Sequence, residues 1–214
     1  ASGISEGDKL LTFSKIRAAS QIMANLPYVK GVRIGIKLPD TVNIMIEEES
    51  VVYAIKSSDG QWWMMDSDGR VVEQANNAKA ATATQVLGVT LEAPTVNEKG
   101  VATEMTPSET NELGELIPVT TTGAQRLTAA LQILKALENN DIVGEAASVD
   151  VTSTEDIILW YGTRYQVNLG DTSRLDYKVD CMNDAILQMS DYQSGVLDIS
   201  FTIWPNQVGY TPFA

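Results

Sequence analysis

Two alternating runs near the N-terminus predict a β-hairpin. Apolar side chains occupy every second position from Val32 to Leu38 and again from Val42 to Ile46. Because successive side chains of a strand point to opposite faces, each run has one apolar face and one solvent-facing face. Pro39 and the two residues after it favour a turn, so the runs are predicted to pair as antiparallel strands.

A helical stripe directly before the hairpin predicts the element that covers its apolar face. A two-stranded hairpin is not stable alone and needs such a cover. Pro27 ends the helix, because the residue before a proline avoids the helical conformation. The stripe recurs at helical spacing and consists of Phe13, Ile16, Ala19, Met23 and Leu26.

The rest of the chain predicts short strands with two intervening helices, an α+β architecture. Strands are expected at 51–56, 61–65, 70–72, 85–91, 116–119, 147–151, 157–161, 165–169 and 196–204. One helix is expected at 125–139, with Leu127, Leu131, Leu134 and Leu137 as its apolar stripe. Asp171 or Thr172 can cap the other helix, whose stripe is Leu175, Val179, Met182, Ile186 and Met189. Residues 92–122 form an irregular excursion, in which 97–111 are expected to be solvated.

Composition narrows the possible functions. The 214 residues are 44% hydrophobic and 20% charged, which is typical of a folded protein. The net charge of -13 repels nucleic acid and anionic lipid, so no nucleic-acid binding is expected. No run reaches the roughly 18 apolar residues that a membrane span needs, and the first residues lack a signal peptide's pattern. An anchor or leader, if there is one, is expected to lie outside this sequence.

Missing residue types remove several kinds of active site. There is no histidine, which excludes Ser–His–Asp and Cys–His sites and histidine metal ligands. Cys181 lies on an apolar helical pattern and is predicted to be a buried structural thiol rather than a nucleophile. No glycine-rich phosphate loop is present. We therefore expect no metal and no cofactor, and no catalytic residue unless a pair of carboxylates supplies one.

Carboxylates remain as candidates for catalysis. Glu47, Glu48 and Glu49 are consecutive, so in a strand they point alternately to opposite faces, and a solvated strand end is the favoured interpretation. A glycosidase would need two carboxyl groups that face each other, one with a raised pKa. Asp66 to Gly69 resembles a calcium loop only faintly and is predicted to be a tight turn.

Three stretches resemble the extracytoplasmic part of the FtsQ/DivIB family of bacterial cell-division proteins. GISEGDKLL (3–11), a helix and LPYVKGVRIGIKLPDTVNIMIEEES (26–50) resemble the end of its POTRA domain. WWMMDSDGRVV (62–72) resembles the hairpin that opens its β domain. ILWYGTRYQVNLGDTSRLDYKVDCMNDAILQM (158–189), whose helix carries Lys178, and SGVLDISF (194–201) resemble the C-terminal pattern. The resemblance implies a POTRA-like domain at 1–49 that lacks its first strand, and a mixed, mostly antiparallel β domain at 50–214 with two helices.

The resemblance also implies a function. Such proteins are non-enzymatic division scaffolds, anchored by one N-terminal membrane helix, with this region outside the cytoplasmic membrane at the septum. They bind small coiled-coil partners of the FtsB/DivIC and FtsL kinds by strand addition at the C-terminal edge strand, and other division proteins through the POTRA domain. Val208-Gly209-Tyr210 matches the family's contact motif. Because the first strand is missing, an unpaired sheet edge is expected in the POTRA-like domain. Glu48 stands where many members of the family have arginine.

The C-terminal pattern indicates the same region. Leu197, Ile199, Phe201 and Ile203 alternate with polar residues, which predicts a strand with one core face. The predicted partner-binding residues are the aromatics Phe201, Trp204, Tyr210 and Phe213, which alternatively fold back onto their own domain. Two other functions stay open: a carboxylate-based hydrolase of cell-wall glycans, and an extracellular ligand-binding or adhesion module.

Overall fold

The computed structural model describes residues 2–5, 9, 13–48, 52–104, 121–202 and 205–213. Contacts between Cα atoms divide the chain into two compact units, Ala1–Val52 and Tyr53–Ala214. Each unit combines helices with a sheet, so the α+β fold class predicted from the sequence is confirmed.

The sheet of the N-terminal unit is the predicted hairpin. Strand β1 (Val29–Lys37) pairs with strand β2 (Thr41–Glu48) in antiparallel register, which places Ile34 opposite Ile44. Residues 38–40 form the turn. The alternation and the proline turn are local signals, and both strands form where these signals predict them.

Helix α1 (Lys15–Asn25) contacts β1, and its two buried residues are not members of the predicted stripe. The hydroxyl of Ser14 caps the helix by accepting the N–H of Arg17 at 3.3 Å. Ala18 and Ile22 are buried, whereas Ile16 is 82% exposed. The small side chain of Ala18 lets the helix lie close to the narrow sheet, so the buried face is rotated from the face that the larger side chains indicated.

The C-terminal unit is built on a nine-stranded sheet in the order β11-β10-β9-β8-β7-β6-β3-β4-β5. Five of its neighbouring strand pairs are antiparallel and three are parallel, which confirms a mixed, mostly antiparallel sheet. The strands are β3 (Tyr53–Ser57), β4 (Trp62–Met65), β5 (Val71–Ala75), β6 (Gln85–Leu91), β7 (Ala146–Asp150), β8 (Ile157–Tyr161), β9 (Tyr165–Gly170), β10 (Gly195–Asp198) and β11 (Gly209–Pro212). The strand expected at 116–119 lies outside the described residues.

Two long helices pack on this sheet, α3 (Gly123–Asn139) on β6 and α4 (Leu175–Leu187) on β9. A single turn, α2 (Asn77–Ala80), and a short 3-10 helix (Val143–Glu145) were not predicted. Helix α3 begins with a capping box between Thr122 and Gln125. The predicted cap of α4 is wrong, because Arg174 occupies that position in the left-handed conformation and no side chain caps the helix.

The irregular excursion is partly attached to the sheet. Between residues 97 and 103 the backbone is hydrogen-bonded to strand residues: Asn97 N–H donates to Val71 C=O, and Thr103 N–H donates to Thr90 C=O, each at 2.8 Å. Ala102 is buried. The prediction of a solvated excursion is therefore wrong for Ala102, whereas Glu98, Lys99 and Val101 are exposed as predicted. Residues 105–120 lie outside the described residues.

Candidate partner-binding site

The predicted C-terminal strand is shorter than its alternating pattern indicated. Strand β10 ends at Asp198, so the prediction of a strand over 196–204 is wrong. The carboxylate of Asp198 accepts the N–H of Ser200 at 2.9 Å and its hydroxyl at 2.7 Å. This side-chain turn replaces the next ladder bonds and ends the strand. Phe201 then has a φ of 58°, outside the strand region.

Strand β10 is also not the edge of the sheet. The chain returns as β11, which pairs antiparallel along β10 and places Tyr210 opposite Leu197. The molecule's own backbone thus covers the side that was predicted to be open, and that prediction is wrong for β10. The edge of the sheet at this end is β11.

Strand β11 directs a short row of backbone groups away from the sheet. Phe213 N–H donates to Ser194 C=O at 3.1 Å, so Phe213 belongs to the set of residues that bond to β10. Alternate residues of an antiparallel strand face opposite sides, so Tyr210 and Pro212 direct their backbone groups outward. Tyr210 offers an N–H and a C=O, whereas Pro212 offers only a C=O because proline has no N–H.

The aromatic side chains of this edge pack on their own unit and remain partly accessible. The hydroxyl of Tyr210 donates to Ser194 C=O at 3.1 Å, and the residue is half-buried. The ring of Phe213 stacks on Trp160 with 6.2 Å between ring centres, and Phe213 stays 42% exposed. Side chains held in this way are anchored before any partner arrives, which lowers the entropy lost on binding.

Phe201 lies in a different environment from the β11 aromatics. Its ring centre is 5.7 Å from that of Tyr177 on α4, and the guanidinium of Arg174 lies 5.5 Å from the Phe201 ring centre. Trp204, the fourth predicted contact residue, lies outside the described residues. The structure therefore brings Tyr210 and Phe213 to the β11 strand and places Phe201 against the first turn of α4.

Lys178 fixes the connection between β9 and α4. It is 1% exposed, and its ammonium group donates to Leu169 C=O, Asp171 C=O and the Asp171 carboxylate at 2.8–2.9 Å. Three acceptors satisfy the three donors of the buried ammonium. The hydrogen bonds from Lys178 and Ser173 lower the pKa of Asp171 from 3.8 to about 2. The carboxylate is therefore charged at neutral pH, and the loop before α4 is held at a defined position.

The other candidate chemistry of the sequence is dispersed. Glu47 and Glu48 are exposed at the end of β2, and Glu49 lies outside the described residues. Asp66 closes the tight turn before β5, as predicted, and pairs with Arg70 at 3.0 Å. Within the described ranges, no group of three or more His, Cys, Asp or Glu side chains is placed to hold a metal ion. Cys181 is half-buried at the margin of the apolar face of α4, so the prediction of a buried thiol is wrong.

Sequence reasoning missed Trp160, Arg174 and Tyr177. The sequence contains a weak indication for Trp160. Its side chain lies on the outward face of β8, and a large aromatic side chain on such a face usually packs against another part of the protein. Arg174 and Tyr177 carried no signal, since the ring they contact is 24 or more residues away along the chain and only the fold brings it close.

Comparison with known proteins identifies the class of the N-terminal unit. Residues 1–49 match the POTRA domain of the FtsQ type. The chain is 24% identical over 204 residues to the cell division protein DivIB of Clostridium tetani, a match that covers 94% of this chain and 69% of that protein. It is 29% identical over 90 residues to the DivIB protein of Clostridium acetobutylicum, with 42% of this chain and 35% of that protein covered.

The N-terminal unit is thus an FtsQ-type POTRA domain joined to a nine-stranded α+β unit. Over most of its length the chain is similar to a DivIB cell-division protein, and its N-terminal unit matches the FtsQ-type POTRA family. Within the described residues, no helix has the length and apolar character needed to cross a bilayer.

Proposed function

We propose that this protein is a non-enzymatic scaffold of bacterial cell division that binds small coiled-coil partners of the FtsB/DivIC and FtsL kinds. The partner adds a strand to β11 and so becomes linked to septal cell-wall synthesis. The protein acts outside the cytoplasmic membrane at the septum, held there by a single N-terminal membrane helix. Its POTRA domain receives other division proteins.

The observation that carries the proposal is the outward-facing backbone of β11. Tyr210 presents both a donor and an acceptor to solvent, and Pro212 adds one further acceptor two residues later. An incoming extended segment satisfies these groups by continuing the ladder. Tyr210 and Phe213 flank the segment, and their partly exposed rings are suitable anchors for its side chains.

The length of the docking edge limits how the partner binds. Since Pro212 has no N–H, the ladder with the partner contains one donor and two acceptors from β11. Such a short ladder supplies modest affinity, so side-chain contacts with the rings must supply the rest. This agrees with a scaffold that selects its partner through side chains rather than accepting any extended peptide.

A proline substitution at Tyr210 tests strand addition. Tyr210→Pro removes the outward N–H and leaves the bonds of β11 to β10 in place, because Tyr210 does not donate to β10. Tyr210→Ala is the matched control, since both variants lose the phenol but only the proline variant loses the N–H. We expect Tyr210→Pro to bind the extracytoplasmic part of a DivIC-type protein from the same organism about tenfold more weakly than Tyr210→Ala, measured by calorimetry.

Equal affinities for the two variants would contradict strand addition at β11. An absence of binding by the unaltered chain would contradict the scaffold assignment itself. Circular dichroism of both variants checks that the sheet is intact.

A triple substitution in the POTRA domain tests the division of labour between the units. Glu47→Gln, Glu48→Gln and Glu49→Gln together remove three negative charges from the end of the hairpin. We expect the triple variant to fold and to bind the DivIC-type protein with unchanged affinity, because that partner docks on the C-terminal unit. Loss of that binding would show that the partner also contacts the POTRA domain.

A further inference from the structure

A cation and two aromatic rings meet where helix α4 begins. The guanidinium carbon of Arg174 lies 4.4 Å from the centre of the Tyr177 ring and 5.5 Å from that of Phe201. A guanidinium carries five N–H donors, so an arginine that lies beside aromatic rings can still donate to a further acceptor. The chain has 28 acidic and 15 basic residues, yet no carboxylate among the described residues pairs with Arg174.

The backbone at this cluster is held in an unfavourable conformation on both sides. Arg174 has a φ of 55° and Phe201 a φ of 58°, the left-handed region that disfavours residues with a Cβ atom. The two residues come from separate segments, and their side chains converge. Strained residues of this kind persist where the surrounding structure fixes them, and they concentrate at binding sites.

A cavity of about 660 Å³ opens beside the cluster, between helix α3 and residues 171–177. We call it the α3–α4 cavity. Arg174 and Lys135 line it, together with the amide side chains of Gln132 and Asn139, which can also donate hydrogen bonds. Lys135 is only loosely held, since its ammonium lies 3.5 Å from an exposed carboxylate of Asp68.

The two acidic residues that line the cavity differ in how far they compete with an acidic ligand for the cations there. The carboxylate of Asp171 is already bonded to Lys178 and Ser173. Asp176 is exposed on the first turn of α4. Lys178 neutralises Asp171 and Asp68 lies beside Lys135, so Arg174 is the lining cation for which no carboxylate partner occurs among the described residues.

We propose that the α3–α4 cavity binds an acidic segment of a partner protein and that Arg174 receives a carboxylate side chain through paired N–H donors. A carboxylate and a guanidinium match in this two-point geometry. The cavity is larger than one carboxylate and has the size of a site for a few residues. The net charge of -13 disfavours polyanions such as nucleic acid or a phospholipid surface, whereas one carboxylate on an otherwise neutral segment avoids most of that repulsion. The proposal goes beyond strand addition, because it uses side chains of α3 and α4 rather than the β11 backbone.

The experiment compares two short peptides that differ only in charge. Acetyl-Ala-Glu-Ala amide and acetyl-Ala-Gln-Ala amide are titrated into the 15N-labelled chain at low ionic strength. We expect the glutamate peptide to shift the signals of Arg174 Nε, Tyr177 and Gln132 in a saturable way, and the glutamine peptide to shift them little. Equal shifts with both peptides, or shifts confined to other regions, would overturn the proposal.

Charge-matched variants separate the site from general electrostatics. Arg174→Gln should weaken binding of the glutamate peptide about three- to fivefold, whereas Arg33→Gln, which removes the same charge from an exposed position on β1, should leave it unchanged. Arg174→Lys should restore only part of the affinity, because lysine lacks the planar fork. Equal effects of Arg174→Gln and Arg33→Gln would overturn the proposal. Tyr210→Pro should bind the peptide normally, so failure of strand addition and failure of this site give different results.

Discussion

The POTRA unit and the C-terminal unit differ in how much apolar surface each buries for itself. Among the described residues, the POTRA unit contributes Ala18, Ile22 and Val29 to the buried apolar side chains, and the others lie in the C-terminal unit. Half of the large, exposed apolar residues in the same set nevertheless belong to the much shorter POTRA unit: Ile16, Leu26, Leu38, Ile44, Met45 and Ile46.

The contrast shows how much apolar surface each unit contributes to its own folding. Burial of apolar surface is the main favourable term in folding, and a two-stranded sheet with one helix supplies little of it. The nine-stranded sheet with α3 and α4 forms a continuous core that includes Leu134, Leu159 and Val167. The C-terminal unit therefore has a large core of its own, whereas the described residues of the POTRA unit bury little apolar surface.

The largest expected effect comes from a paired test of the two cores. Leu159→Ala removes a fully buried side chain and should lower the free energy of unfolding of the C-terminal unit by about 3 kcal/mol. Ile22→Ala should destabilise only the POTRA unit. All four tryptophans lie in the C-terminal unit, so their fluorescence in a urea titration reports that unit alone. A shift of that transition in Ile22→Ala would show that the two units unfold together and would break the comparison.

The next effect concerns the buried ammonium group. Lys178→Met keeps most of the side-chain volume and removes three hydrogen bonds, which leaves Leu169 C=O buried without its donor. We expect a loss of about 2 kcal/mol in the stability of the C-terminal unit. Thermal unfolding monitored by circular dichroism measures it. Unchanged stability would show that packing, and not the ammonium, holds the loop before α4.

Substitutions of two buried tyrosines should change the stability by smaller amounts and in different directions. Tyr53 donates to the carboxylate of Glu138 at 2.9 Å, so Tyr53→Phe should cost about 1.5 kcal/mol. The hydroxyl of Tyr165 is buried and has no hydrogen-bond partner among the described residues. Tyr165→Phe should therefore leave stability unchanged or raise it by up to about 1 kcal/mol. A loss in Tyr165→Phe equal to that in Tyr53→Phe would contradict this assignment.

The smallest expected effect is a pH dependence near Asp171. The pKa of Asp171 is lowered to about 2 in the folded state from 3.8, so the stabilisation is complete above pH 3.8 and is lost as the pH falls through about 2. The carboxylate is well exposed, which keeps the contribution small. In Lys178→Met, the free energy of unfolding should lack the part of its decrease between pH 4 and 2 that comes from Asp171. Identical acid profiles for the two proteins would mean that Lys178 does not set the pKa.

Local patterns were sufficient for elements whose own residues determine them. The strands Gln85–Leu91 and Ile157–Tyr161 have the predicted bounds, and the β1–β2 hairpin follows from two alternating runs and the turn at Pro39. Alternation indicates a strand without any contact from a distant part of the chain, but it did not give the burial of β2, where Ile44 and Ile46 are exposed.

Elements that depend on distant contacts were not predictable in this way. Strand β11, with the sequence Gly-Tyr-Thr-Pro, has no alternating apolar pattern and is a strand only because β10 lies beside it. The early end of β10 did have a local signal, since Asp198 followed two residues later by Ser200 is typical of a side-chain turn. The apolar alternation through Phe201 outweighed that signal in the sequence analysis.

Pro212 affects whether identical copies of this protein can pair through strand β11. An edge strand with a full set of unpaired donors and acceptors is a template on which further identical edges can stack into fibrils. The missing N–H at Pro212 interrupts that template after the single outward donor of Tyr210, so β11 is a poor template for continuous stacking of identical copies.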